Sequence, residues 1–112
     1  MAQSFDVSTK QQNGIGIMKI TGDITSEAEE RMNKAFDSLV SADQKTLVLD
    51  LAEADYVNSA GIAIIIGFLN QINNLQGTIK MAGLNKHFRK VIETVGLNDF
   101  IPLHETVEEA LQ

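Results

Sequence analysis

The chain has no cysteine, which removes disulfides, thiolate metal sites and thiol nucleophiles at once. It also lacks an excess of positive charge: nine Lys and Arg stand against fifteen Asp and Glu, for a net charge of −6. Non-specific nucleic-acid binding needs a basic face to neutralise phosphates, and this balance argues against it. Long apolar runs are missing too. The longest, Gly61 to Leu69, falls far short of the roughly 20 residues that span a bilayer. Met1 to Lys10 mixes polar and apolar residues, without the basic-then-apolar order of a secretory leader. The expectation is a cytoplasmic protein with no membrane insertion.

What is present is ordinary globular composition, with 44% hydrophobic and 21% charged residues over 112 positions. That length suits one domain, 1–112, with a single core. Ser4 to Thr9 and Ile15 to Thr21 alternate as strands do, and Gln11-Gln12-Asn13-Gly14 between them has hairpin-turn chemistry. Thr25 or Ser26 can cap a helix whose apolar residues Ala28, Met32, Ala35, Phe36 and Leu39 recur at three- and four-residue spacing. Thr46 to Leu51 is a nearly continuous apolar run, the mark of a central strand buried on both faces.

The segment Ser59 to Leu75 is rich in isoleucine, which favours strands. Its length and the stripe Ile62, Ile65, Ile66, Leu69 and Ile72 nevertheless predict a helix. Gly77 sits where a helix end wants a left-handed residue. A strand is predicted over Thr78 to Ala82, a helix marked by Phe88, Val91, Ile92 and Val95 and ended by Gly96, a short strand over Phe100 to Leu103, and a closing helix over Thr106 to Leu111 with Val107, Ala110 and Leu111 inward. The expected architecture is α/β, a mixed β-sheet of about four to five strands flanked by about four helices.

One stretch carries chemistry. In Tyr56-Val57-Asn58-Ser59-Ala60-Gly61-Ile62-Ala63 an apolar strand breaks into a polar turn and opens a helix. Either Asn58 or Ser59 has the side chain to cap that helix. A serine there also has a hydroxyl beside backbone N–H groups suited to a phosphate. Asn58 to Ala63 resembles the Asp-Ser-Ser/Thr-Gly-Leu-Gly signature of STAS domains, in particular the anti-sigma-factor antagonists of bacteria. Ile20-Thr21-Gly22-Asp23-Ile24 is similar to that family's Leu-x-Gly-Glu-Leu/Ile element. Val95-Gly96-Leu97-Asn98-Asp99-Phe100 and Val107-Glu108-Glu109-Ala110-Leu111 are similar to its closing elements.

The resemblance implies a STAS-like fold and partner switching. The unphosphorylated protein would bind an anti-sigma factor that is itself a serine kinase; phosphorylation of Ser59 would end that binding, and a metal-dependent serine phosphatase would restore it. The implied contact surface is Asp23, Ile24, Tyr56, Asn58, Ser59, Gly61 and Ile62; core packing is the competing reading for Ile24, Tyr56 and Ile62 and the favoured one for Ile62, and Asp23 is expected to face solvent. Ala63 in place of the family's last glycine matters less than two other departures from the pattern: Asn58 replaces the family's acidic residue, and Ala60 replaces the hydroxyl residue after the serine. They favour an alternative, a non-phosphorylated STAS interaction or scaffold module of a signalling or transport assembly.

An enzyme is not expected. His87 and His104 have no motif tying them to Ser59, and a serine nucleophile needs a base. Glu29-Glu30 and Glu108-Glu109 are helix neighbours that point apart, Gly14-Ile15-Gly16 lacks the third glycine of a dinucleotide fingerprint, and no cofactor or metal is implied. Lys86-His87-Phe88-Arg89-Lys90 is a basic cluster, read first as a solvated helix face and second as a contact for an acidic partner. His104 is expected at the surface. Self-association is left open.

Overall fold

The computed structural model of the protein describes residues 4–112, so Met1 to Gln3 of the leader reading lie outside it. Strand β1 (Asp6–Gln12) turns through Asn13 and Gly14 into β2 (Ile15–Ile24). Both turn residues have positive φ, 56° and 76°, the signature of a two-residue type I′ hairpin. The turn is therefore shorter than Gln11 to Gly14, and β1 starts and ends later than expected. Thr25 caps a 3₁₀ turn over Ser26–Ala28 through an Oγ1 that accepts from the Glu27 amide at 3.3 Å. That turn leads into α1 (Glu29–Ser41), which buries Met32, Phe36 and Leu39.

Strand β3 (Thr46–Val57) is followed by α2 (Ser59–Asn74), β4 (Thr78–Ala82), α3 (Lys86–Thr94), a 3₁₀ turn over Leu97–Asp99, β5 (Leu103–His104) and α4 (Val107–Ala110). The sheet runs β1-β2-β3-β4-β5, with β1 antiparallel to β2 and the other pairs parallel. β3 is central, as its apolar run predicts.

The main core joins Met18, Ile20, Leu47, Leu49 and Leu51 of the sheet to residues of α1, α2 and α3. Phe36 of α1 stacks on Phe68 of α2 with ring centroids 4.6 Å apart. The other sheet face has a smaller cluster, Ile17, Val48, Ala82 and Ala110, covered by α4.

Several expectations change in detail. Val95 and Phe100 face solvent, 52% and 69% exposed; the last strand accordingly shifts from Phe100–Leu103 to Leu103–His104, with Ile101 filling the core before it. In α2, Ile66 stands outside the buried stripe and Ile64 within it, because the stripe is wide enough to take in the Ile64–Phe68 edge and centres away from Ile66. At the end of α2 it is Gln76 that adopts positive φ, 61°. Gly77 is needed for another reason: a Cβ there would sit 2.2 Å from the Lys45 carbonyl oxygen.

Candidate functional site at the start of the second helix

β2 and β3 both run past their apolar cores. Thr21 to Ile24 pair with Glu53 to Val57 after register shifts at Lys19/Thr21 and Gly22/Asp23. This tail brings Asp23 beside Tyr56 and Ile24 beside Val57, so the loop ahead of α1 and the turn ahead of α2 share one end of the sheet. Residues 52–55, Ala-Glu-Ala-Asp, have no strand propensity of their own, which is why the sequence ends the strand at Leu51. Pairing with β2 supplies what propensity does not.

The turn itself has a definite division of labour. Asn58, in extended backbone, is the cap: its Oδ1 accepts from the Gly61 amide at 3.0 Å, and its own N–H donates to the Ile24 carbonyl at 3.3 Å. Ser59 is the first residue of α2 and is exposed. Its hydroxyl is thus not the cap. The Gly61 and Ile62 amides are engaged by Asn58 Oδ1 and Asn58 O, so the outward-facing donors of the first turn are those of Ser59 and Ala60. Gly61 lets the helix close on the sheet, since a Cβ there would lie 2.2 Å from the Ile24 carbonyl oxygen and 2.7 Å from Val57 Cγ2.

The expected contact residues therefore separate into two groups. Ile24, Gly61 and Ile62 are buried, and their side chains or close approach belong to packing. Asp23 and Asn58 are half-buried and Tyr56 is 43% exposed. Tyr56 is not a core residue: its ring stacks on His87 of α3 with centroids 5.2 Å apart and planes 17° from parallel.

The exposed surface beside Ser59 extends past the expected contact residues. Ala63, Ile66 and Asn70 follow Ser59 along the exposed face of α2, at helical spacing. α2 carries no charged residue, a sequence signal that marks this face as uncharged.

Among the described residues no group of three or more His, Cys, Asp or Glu could hold a metal ion, and no helix is long and apolar enough to cross a membrane. His87 lies at the tip through Tyr56, whereas His104 belongs to β5. His104 is not the surface residue expected: strand pairing to Ala82 half-buries it and encloses its Nε2.

A five-stranded mixed sheet with a capped turn between its central strand and the helix that follows defines a small α/β domain. The STAS domain profile matches residues 6–110, and the chain belongs to the STAS domain family. A Bordetella bronchiseptica relative, BtrV, provisionally named an anti-sigma factor antagonist, is 28% identical over 98 residues, covering 88% of this chain and 84% of its own. The crystal structure of an anti-sigma factor antagonist from Mycobacterium paratuberculosis superposes with a TM-score of 0.85 at 21% identity, covering 96% and 92% of the two chains. SpoIIAA has the same fold in its unphosphorylated form, with TM-score 0.79, 17% identity and coverage of 96% and 93%. The phosphorylated form of the Bacillus protein gives 0.73, 16% and 96% of each chain.

Proposed function

We propose that this protein is an anti-sigma-factor antagonist that works by partner switching, with Ser59 as its phosphorylation site. The observation that carries the reading is the capping role of Asn58: with Asn58 Oδ1 on the Gly61 amide, the exposed Ser59 hydroxyl has no structural task at the helix start. The family and the names of the relatives support the same reading.

In this mechanism the unphosphorylated chain presents Asp23, Tyr56, Asn58 and Ser59 to an anti-sigma factor with serine-kinase activity, on a platform built by Ile24, Gly61 and Ile62. A phosphate on Ser59 adds about −1.5 to −2 charge. Within the chain that charge is tolerated at a helix N-terminus, where the dipole is favourable. At a docked interface it must be desolvated against a surface shaped for a neutral hydroxyl, so the complex separates without refolding. A metal-dependent phosphatase then restores the binding form.

Intact-mass and phosphopeptide mapping of protein from its native cells tests this directly. One phosphate, absent from the Ser59→Ala variant, is the expected result. Ser59→Ala should bind the anti-sigma factor at wild-type strength, and Ser59→Glu should weaken binding at least about tenfold. Wild-type affinity in Ser59→Glu would remove the electrostatic basis of the switch. The second reading, an interaction module that is never phosphorylated, is favoured by Asn58 and Ala60 in place of an acidic and a hydroxyl residue. Absence of phosphate under all growth conditions selects it.

A further inference from the structure

We infer that the docking surface continues from Ser59 onto the outer face of α3, where it receives an acidic segment with an apolar anchor on the same anti-sigma partner. The inference rests on the partner-switching reading. His87, Lys90, Val91, Thr94 and Val95 line an open groove of about 320 Å³. Their spacing places them on one side of the helix.

The floor of the groove is apolar and its rim basic. Val91 is half-buried, with its back against the core, and Val95 is 52% exposed. Val95, at the C-cap of the nine-residue helix, is an exposed apolar side chain that core packing does not explain, and Val91 one turn earlier extends its surface. Lys86, His87 and Lys90 are exposed around them. Arg89 is already engaged, 3.5 Å from Glu105. This basic ridge stands on a chain of net charge −6, so it repels basic segments locally and selects carboxylates.

Two contacts make the ridge continuous with the turn at Ser59. Tyr56 stacks on His87. Asn85 Nδ2 donates to the carbonyls of Ala54 and Asp55, each at 3.2 Å, while its Oδ1 caps α3 by accepting from the Phe88 amide at 2.7 Å. The end of β3 and the start of α3 are thereby pinned together, and a partner seated on Ser59 and Tyr56 meets the α3 groove without rearrangement. An acidic segment would set its carboxylates against Lys86 and Lys90 and an aliphatic side chain on Val91 and Val95.

The test uses the full chain and the serine-kinase anti-sigma factors encoded in the same genome, purified one by one. Affinity is measured by calorimetry at low and high salt for wild type, Lys90→Glu/Val95→Glu and Ser59→Glu, with circular dichroism to verify folding. The double variant is expected to bind at least about tenfold more weakly and with a flatter salt dependence. Lys90→Glu alone, at an exposed position, should reproduce the flatter dependence if the double variant is unstable.

If both α3 variants bind as wild type while Ser59→Glu is weakened, the α3 surface is overturned and the Ser59 reading stands. The reverse pattern keeps the α3 surface and removes the switch. If no anti-sigma factor binds wild type, both fall. If the α3 substitutions change only self-association in sedimentation, the occupant is a second copy of this acidic chain and the inference is overturned.

Discussion

Asn58 shows how one side chain frees another. Both Asn and Ser are good helix caps, so residue type alone leaves the choice between Asn58 and Ser59 open, and the backbone has to decide it. The extended conformation of Asn58, with φ −110° and ψ −175°, makes it the cap; Ser59 is left one position inside the helix, exposed. Asn58→Ala should cost about 1 kcal/mol in urea denaturation. Asn58→Asp should retain that stability, because a carboxylate also accepts the Gly61 amide and faces the positive end of the helix. If Asn58→Ala is instead neutral, another group caps α2 and the hydroxyl of Ser59 becomes the leading candidate. The remaining site residues were only partly legible: Asp23, Tyr56 and Asn58 are accessible and Ile62 belongs to the apolar stripe of α2, but the burial of Ile24 depends on the β2–β3 tail, a long-range pairing that local pattern does not encode.

At the scale of elements, periodicity carried most of the architecture. The helices and the central strand followed from their apolar spacing, whereas the strand ends did not, because Glu53 and Ala54 are held by register with β2 and not by propensity. The two glycines of α2 illustrate the same limit. Gly61 and Gly67 look alike in sequence, yet a Cβ at Gly61 would collide with the Ile24 carbonyl oxygen at 2.2 Å, while one at Gly67 would meet nothing within 4 Å. Gly61→Ala should therefore destabilise the protein by about 1–3 kcal/mol, the usual cost of overpacking. Gly67→Ala should stabilise it by roughly 0.5–1 kcal/mol through helix propensity. Thermal or urea unfolding of the pair is the check, and equal effects would show that the helix end is not closely seated on β2.

For the whole molecule, the helices are unequally divided. α1, α2 and α3 pack the main core on one face of the sheet, and α4, four residues long, covers part of the other through Ala110, with Lys80 Nζ donating to the Ala110 carbonyl at 3.0 Å. Composition and alternation predict helices around a mixed sheet, but they do not reveal this imbalance, since Val107 and Leu111 read as inward-facing and are only half-buried. The imbalance divides the protein into regions of different local stability. In native-state hydrogen exchange, the amides of α4 should open with only a small fraction of the global unfolding free energy, while those of Leu47 to Leu49, in the middle strand, should exchange only when the whole chain unfolds. Uniform protection across both would show that the sheet and α4 unfold together. The turn bearing Ser59 grows out of that slow-exchanging strand, so its exposed hydroxyl is held on a scaffold already in its final shape, and fluctuations of the C-terminal helix leave its presentation unchanged.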